Sequence, residues 1–102
     1  MPLVSVIIPT YNRSQLLKQA IASVRSQTFT DFEIWVVNDG SRDDTHDVVG
    51  AIDDPRLHYI YQENSGLAAA RNAGIQQSQG AYVAFLDDDD WVEVDHIEKL
   101  GA

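Results

Sequence analysis

Short β-branched runs alternate along the chain with longer stretches whose apolar residues recur at helical spacing. Strands are predicted over residues 3–8, 32–37, 57–61 and 82–86. The last run is apolar enough to predict an interior strand covered on both faces. Helices are predicted over residues 14–27, 44–52 and 67–79, with a helical fragment over 94–100. The alternation predicts an α/β fold: a Rossmann-like three-layer sandwich around a mostly parallel sheet of about four strands, with three to four helices.

Punctuating residues set the expected ends of these elements. Pro9 lacks an amide donor and is expected to close the first strand. Ser14 is expected to be the N-cap of the first helix, Asp43 or Asp44 that of the second, and Gly80 is expected to end the third. Right-handed crossovers place the strand-to-helix loops at one edge of the sheet. Those loops cover residues 10–13, 38–42, 64–71 and 87–91.

A run of aspartates follows the fourth predicted strand directly, namely Asp87, Asp88, Asp89 and Asp90. In open parallel sheets, ligands bind outside the carboxyl ends of the strands. Adjacent carboxylates repel one another unless a cation is present, and their hard oxygens suit Mn²⁺ or Mg²⁺. A solvated acidic turn is the alternative. The position of the run at the end of a strand favours a metal site.

Composition narrows the classes of partner. A chain of 102 residues suits one domain, and its net charge of −9 argues against nucleic acid or an anionic membrane as the main partner. The chain has no cysteine, and no apolar run is long enough to span a bilayer. The apolar run at residues 3–8 is too short for a signal peptide and has no basic segment ahead of it. A cytoplasmic location is therefore expected, and a longer parent could still dock peripherally on a membrane.

The loop after the first predicted strand lacks both common glycine-rich phosphate motifs, G-x-G-x-x-G and G-x-x-x-x-G-K-[ST]. Phosphates would then depend on a cation at the aspartates. Tyr11 offers an aromatic face for a base, and Asp39 an acceptor for a base N–H or a ribose hydroxyl. A nucleoside diphosphate fits this set of groups.

Each of these side chains also has a structural interpretation. Tyr11 can pack on the rim of the sheet, and Asp39 can be a turn or capping acid. Arg71 interrupts an alanine-rich helix and either pairs with an acid or turns toward an anion. The histidines have no partner at metal-ligand spacing, and no serine lies in a G-x-S-x-G elbow.

Four segments together resemble the N-terminal half of the glycosyltransferase family 2 domain, which has the GT-A fold. They cover nearly the whole chain in the family's order and span residues 4–13, 36–45, 64–74 and 85–90. The resemblance implies a metal-dependent enzyme that transfers a sugar from a nucleotide donor to an acceptor hydroxyl with inversion. A UDP-sugar is the default donor, and the acceptor is a saccharide, a lipid or another hydroxyl compound.

The resemblance also implies roles for particular residues. Thr10 and Tyr11 would line the base, with Pro9, Asn12 and Arg13 completing that loop, and Asp39 would hydrogen-bond the base. Arg71 would lie near the base and phosphates. The D-x-D motif would be Asp87, Asp88 and Asp89, with Asp87 reaching the ribose or the water shell of the metal and Asp89 ligating Mn²⁺ or Mg²⁺.

The general base of inverting members belongs to the second half of the domain. Residues 1–102 are therefore expected to be the truncated donor-binding part, with no catalytic residue assigned within it. An exposed sheet edge would allow a homodimer. The alternatives are a non-catalytic nucleotide-binding module and a sugar nucleotidyltransferase, although the latter should have a glycine-rich first loop. An aspartate-nucleophile phosphatase fits least, because its acids would follow the first strand.

Overall fold

A computed structural model of the chain describes residues 3–26 and 30–86. In chain order the elements are β1 (Val4–Thr10), α1 (Ser14–Arg25), β2 (Phe32–Asp39), α2 (Thr45–Gly50), β3 (Leu57–Gln62), α3 (Leu67–Gln77) and β4 (Tyr82–Phe85). The predicted alternation of strands and helices is confirmed. The predicted fragment at 94–100 and the aspartate run lie outside the described residues.

The four strands form one sheet in the order β3-β2-β1-β4, and every pair is parallel. Val6 of β1 pairs with Ile34 of β2, which in turn pairs with Leu57 of β3. Parallel neighbours require crossover connections, and α1, α2 and α3 supply them. The carboxyl ends of the strands consequently meet at one edge, as the sequence predicts.

Alternate residues of the central strands face two different helical layers. Val6 and Ile8 of β1 belong to a core shared with Leu17 and Ile21 of α1. Ile7 faces the other way and packs with α3. A Cβ at Gly74 of α3 would lie 2.6 Å from Ile7 Cγ2, so the glycine lets this helix approach the sheet closely. The predicted three-layer arrangement is therefore present.

The prediction that the fourth strand lies inside the sheet is wrong for the described residues. There β4 pairs with β1 alone and forms an edge. Tyr82, Val83 and Phe85 are exposed, because α3 packs chiefly on β1 and β2. An apolar sequence shows that a strand is suited to burial. Whether it is buried depends on the strands and helices that pack beside it.

Pro9 does not end β1, which continues to Thr10. Pro9 pairs with Val37 of β2, but the pairing with β4 stops at Ile7, whose carbonyl accepts the Leu86 amide at 3.0 Å. Pro9 is the next residue of β1 on the β4 side, and it has no amide to donate. The proline therefore ends the hydrogen-bond ladder on one side of the strand only.

Two predicted helix ends also differ. Arg13, and not Ser14, occupies the N-cap position of α1. α3 ends at Gln77 with Ser78 as its C-cap, ahead of the predicted Gly80. Among the described residues, no helix has the length and apolar character needed to cross a bilayer.

Candidate functional site

The polar loops predicted to meet at the carboxyl edge of the sheet do meet there. β1 ends at Thr10, β2 at Asp39 and β3 at Gln62. Thr10 pairs with Asn38, the residue before Asp39, and Asp39 pairs with Gln62. The loops that follow these strands are thus neighbours, and their side chains connect them further.

The Asp39 carboxylate accepts hydrogen bonds from four neighbouring residues at this edge. Its Oδ1 accepts bonds from Gln62 Nε2 at 2.9 Å and from the Ser65 amide at 2.8 Å. Its Oδ2 accepts the Gly66 amide at 3.0 Å and, more weakly, Asn64 Nδ2 at 3.4 Å. Gly66 is the N-cap of α3. Asp39 therefore fixes the loop before α3, so the capping interpretation describes its protein contacts.

The charge of Asp39 is favoured by these contacts. Burial is the largest single effect on this carboxyl, and it opposes ionisation. The hydrogen bonds from Gln62, Ser65 and Gly66 outweigh it, so the pKa of Asp39 is lowered. The negative charge also lies at the N-terminus of α3, where a helix dipole favours it.

Asn12 connects the loop after β1 to the loop after β2. Its backbone amide donates to Ser41 Oγ at 2.8 Å, and its Oδ1 accepts the Arg42 amide at 2.7 Å. Asn12 has a φ of 53°, a left-handed conformation that asparagine tolerates better than most residues. The two loops are therefore held in a fixed arrangement.

Asp43 explains why Ser14 is not the N-cap of α1. Asp43 Oδ2 accepts the Ser14 amide at 3.2 Å, so a carboxylate from another loop caps this helix. Asp43 Oδ1 accepts the amide and the hydroxyl of Thr45 at the start of α2. Burial acts most strongly on this carboxyl and raises its pKa, but the bonds from Thr45 and Ser14 lower it overall.

Gly40 brings the loop after β2 against the loop after β3. Its φ is 84°, and a Cβ there would lie 2.8 Å from the Asn64 backbone nitrogen. Asn64 Nδ2 in turn donates to the Asp39 carbonyl at 3.0 Å. No room remains between these loops for a side chain at position 40.

The remaining predicted residues of the first loop differ in exposure. Pro9 and Thr10 are buried, whereas Tyr11 is 46% exposed at the rim. Arg13 is exposed as well. The Tyr11 ring is therefore accessible from solvent at this edge. Its role in holding a base stays a prediction.

Arg71 lies on the first turns of α3, on the side of β4. Its guanidinium carbon is 5.3 Å from the centroid of the Phe85 ring, within the range of a cation–π contact. Phe85 is the last residue of β4, one residue before the end of the described chain. Arg71 thus reaches the side of the edge from which the aspartate run continues.

Three arginines lie along these loops or in the helix that follows them. Arg13 follows β1, Arg42 follows β2, and Arg71 lies in the helix after β3. The whole chain has only seven lysines and arginines against sixteen acids. Three of the seven thus lie near this edge, together with the acids Asp39, Asp43, Asp44 and Glu63.

The predicted metal ligands Asp87 and Asp89 lie outside the described residues, as does Asp88. In the part of the chain that the structure describes, no group of three acids, histidines or cysteines could hold a metal ion. β4 runs parallel to β1, so the chain reaches the carboxyl edge just before these aspartates. Their carboxylate oxygens are the donor type that Mn²⁺ and Mg²⁺ prefer.

Several residues that build the edge were not predicted as part of the site. Gln62 and Asn64 contact Asp39, and Ser41 and Asp43 join the first two loops. Clusters of turn-forming polar residues, Asn-Asp-Gly-Ser and Asn-Ser-Gly, were the available signal. They locate the loops but do not say which side chain reaches which neighbour.

Comparison with known proteins adds three findings. The family model described as glycosyl transferase family 2 matches residues 5–101. The glycosyltransferase GlyA of Streptococcus pneumoniae serotype 4 is 44% identical over 99 residues, which are 95% of this chain and 14% of that protein. A Campylobacter jejuni protein named GalNAc(5)-diNAcBac-PP-undecaprenol beta-1,3-glucosyltransferase is 47% identical over 94 residues, 88% of this chain and 30% of that protein.

Solved structures give the same picture. Residues 1–349 of TarS from S. aureus in complex with UDP-GlcNAc match with a TM-score of 0.90 and 31% identity, over 96% of this chain and 30% of that one. The mannosyltransferase PcManGT of Pyrobaculum calidifontis, in complex with GDP-Man and Mn²⁺, matches with a TM-score of 0.84 and 30% identity, over 92% of this chain and 30% of that one. The chain therefore spans less than a third of the length of these similar proteins.

Proposed function

This chain belongs to glycosyltransferase family 2 and has the GT-A fold, and from that premise we propose that its carboxyl edge binds the nucleotide-sugar donor of an inverting transferase. The observation that carries the proposal is the joining of the loops after β1, β2 and β3 into one polar surface. This surface combines an exposed aromatic ring with three arginines. Family membership leaves the sugar nucleotidyltransferase alternative without support.

The base would be held by the first loop and Asp39. The accessible Tyr11 ring offers a stacking face, and Thr10 borders it. A carboxylate has about four acceptor sites, and the protein contacts of Asp39 occupy them. The longest of these contacts, from Asn64 Nδ2 at 3.4 Å, is the one that a uracil N–H would displace. UDP is the proposed nucleotide.

The diphosphate would be held by the cations of the edge. A guanidinium presents a planar set of donors that matches phosphate oxygens. Arg13 follows β1 and Arg71 lies beside the end of β4, and these two strands are neighbours in the sheet. Asn12 and Pro9 shape the loop that carries Arg13 and complete the proposed binding segment.

A divalent cation would be held by Asp89 and Asp87, with Asp88 between them. Bound Mn²⁺ or Mg²⁺ would offset the negative charge that develops on the departing nucleoside diphosphate. PcManGT was solved with GDP-Man and Mn²⁺, which supports a divalent metal within this group of folds. Direct binding to these two carboxylates is part of the proposal.

The transfer itself would form a bond between an acceptor oxygen and the anomeric carbon while the bond from that carbon to the diphosphate breaks. Attack from the opposite face inverts the carbon, and a general base takes the acceptor proton. We assign no residue of this chain to that base. The acceptor, a cytoplasmic and peripheral location, and a homodimer through a sheet edge remain proposals.

Calorimetric titration of UDP into the chain tests the proposal, once with Mn²⁺ and once with EDTA. We expect binding with Mn²⁺ that EDTA abolishes. Asp89→Ala should abolish the metal-dependent part as well, whereas Asp53→Ala, which removes an exposed acid in the α2–β3 connection, should bind as the unaltered chain does. A folded chain that binds no UDP, or an Asp89→Ala chain that binds normally, would refute the donor site.

A further inference from the structure

A second buried carboxylate lies at the opposite, amino edge of the sheet. Glu33 is the second residue of β2 and is only 6% exposed. Its Oε2 accepts the Ser5 hydroxyl and the Gln79 backbone amide, both at 2.6 Å. Gln79 belongs to the segment between α3 and β4. The carboxylate therefore ties the approach to β4 to the beginning of the sheet.

Ser5 extends this connection by one more bond. Its Oγ donates to Glu33 and accepts the Gly80 amide at 2.8 Å. A Cβ at Gly80 would lie 2.6 Å from both the backbone nitrogen and the Oγ of Ser5, so only glycine fits there without a shift. Two consecutive amides, those of Gln79 and Gly80, are thus fixed to β1 and β2.

Burial is the largest effect on the Glu33 carboxyl and raises its pKa, but the bonds from Ser5 and Gln79 lower it overall. His58 completes the surroundings, with its Nε2 3.7 Å from Glu33 Oε1 and its ring stacked on Trp35 at 4.4 Å between centroids. The hydrogen bonds from Ser5 and Gln79 therefore favour the ionised form of this buried carboxyl.

Among the described residues, the other contacts that could set the register of β4 are limited. Ala84, with Leu86 just after the strand, packs partly against the core, and Arg71 lies over the Phe85 ring. β4 has four residues, pairs with β1 alone among the described strands, and exposes Tyr82, Val83 and Phe85. Its first ladder bond, from the Tyr82 amide to the Leu3 carbonyl, comes two residues after Gly80. Registers are weakly specified where neither face of a strand is firmly buried.

We propose that Glu33, acting with Ser5, is a positioning residue that sets the register of β4 and so the point at which the aspartate run leaves the sheet. A slip of one residue would turn every β4 side chain to the other face, and a slip of two would move the chain by about 6.6 Å. This role rests on the proposed function, because it matters to catalysis only if those aspartates bind the donor metal.

The test compares Glu33→Ala and Glu33→Gln with Asp54→Asn. Asp54 is also a buried carboxylate, but it bonds Arg25 and Arg56 away from β4. Amide hydrogen exchange by NMR is read at Tyr82 and Leu86, whose amides donate to the Leu3 and Ile7 carbonyls. The reference is Leu17 in α1, whose amide donates to the Arg13 carbonyl. Mn²⁺ affinity of each chain is read by calorimetry.

We expect Glu33→Ala to speed exchange at Tyr82 and Leu86 by about tenfold or more relative to Leu17. Mn²⁺ affinity should fall with it. Glu33→Gln keeps one acceptor oxygen and should lie between Glu33→Ala and the unaltered chain. Asp54→Asn should leave the exchange rates of Tyr82 and Leu86 relative to Leu17 unchanged even where overall stability falls.

An unchanged ratio in Glu33→Ala, or the same change in Asp54→Asn, would overturn the register role. If Glu33→Ala speeds exchange at Tyr82 and Leu86 but binds Mn²⁺ with normal affinity, the positioning role is overturned. If Glu33→Ala does not fold, the same exchange ratio and Mn²⁺ affinity are measured on Glu33→Gln and Ser5→Ala. If the unaltered chain binds no Mn²⁺ while the exchange ratio changes as expected, the proposed function fails and the control of β4 register stands.

Discussion

Each end of β2 carries a buried carboxylate that accepts one or more backbone amides from a neighbouring loop, but the surroundings of the two carboxylates differ. Glu33 at the amino end holds the segment after α3, and Asp39 at the carboxyl end holds the segment before it. Both carboxylates are buried, and both have a lowered pKa because hydrogen bonds outweigh burial. One strand thus secures both connections of one helix.

The surroundings separate a structural carboxylate from a candidate binding residue. Glu33 is enclosed by Ser5, and its contacts lie between strands and a short connection. Asp39 lies among joined polar loops with the exposed ring of Tyr11 and arginines nearby. Burial and hydrogen bonding of a carboxylate therefore do not by themselves indicate a binding site. Accessible aromatic and charged groups around the carboxylate do.

The largest effect is expected where the amino edge is tightest. Gly80→Ala should destabilise the chain by about 3 kcal/mol, because its Cβ would meet the Ser5 backbone at 2.6 Å. Gly50→Ala is the matched control, since no atom lies within 4 Å of a Cβ there. Urea unfolding measures both. Equal stability of the two variants would show that β4 is not held closely to β1.

The second-largest loss of stability is expected when the Asp39 carboxylate at the carboxyl edge is removed. Asp39→Ala leaves the Ser65 and Gly66 amides without their acceptor, and we expect a loss of about 2 kcal/mol together with the loss of UDP binding. Asp44→Ala removes an exposed acid that makes no side-chain cap bond, and it should change stability by less than about 0.5 kcal/mol. Urea unfolding and calorimetry of the two chains check this. Similar values for both would contradict the role of Asp39.

Two glycines distinguish the effect of loop packing on stability from the effect of backbone strain, in the loops after β2 and β3. Gly40 and Gly66 both have positive φ, 84° and 97°, so alanine is strained at either position. Only at Gly40 would the new Cβ meet the neighbouring loop, 2.8 Å from the Asn64 nitrogen. Gly40→Ala should therefore cost about 1 kcal/mol more than Gly66→Ala in thermal or urea unfolding. Equal costs would mean that the loops are not in contact.

The smallest effect concerns a carboxylate outside this comparison. Bonds from Arg56, with a weaker effect from Arg25, lower the pKa of Asp54 to about 2, although burial opposes this. A lowered pKa adds stability at pH values above the unfolded pKa, near 3.8, and that stability is lost as pH falls toward 2. Because the arginines are partly exposed, the contribution is about 1 kcal/mol.

Acid unfolding followed by circular dichroism checks the sign. Asp54→Asn should lower stability at pH 7 and flatten its fall between about pH 4 and pH 2. A variant that unfolds with the same pH dependence as the unaltered chain would show that Asp54 does not contribute. Asp39, Glu33 and Asp43, whose pKa values are also lowered, should keep part of the acid sensitivity in that variant.

Sequence patterns predicted the features that depend on regular spacing of residues along the chain. The alternation of apolar runs gave the strands, the helices and the parallel sheet, and the position of Asp39 after an apolar run placed it at the carboxyl edge. Glu33 gave no signal, because a single acid in a strand resembles any residue facing solvent. Its burial and its bonds depend on Ser5 and Gln79, which are 28 and 46 residues away along the chain.

The errors share this physical cause. Ser14 has the composition of an N-cap, but a carboxylate 29 residues away caps the helix. Residues 82–86 have the apolarity of an interior strand, but neighbours decide coverage, and β4 is an edge. Pro9 removes a donor on one side of β1 while the pairing with β2 continues. Local composition cannot report contacts made between distant segments.

The most direct measurement of the central claim is an NMR titration of the ¹⁵N-labelled chain with UDP and Mg²⁺. The donor site predicts that amide shifts change in residues 10–13, 39–42 and 64–66, around Asp39, while the amides of Ser5, Glu33 and Gln79 at the other edge stay unchanged. Shift changes centred on the amino edge, or none in a folded chain at saturating UDP, would contradict the assignment of the donor to the carboxyl edge.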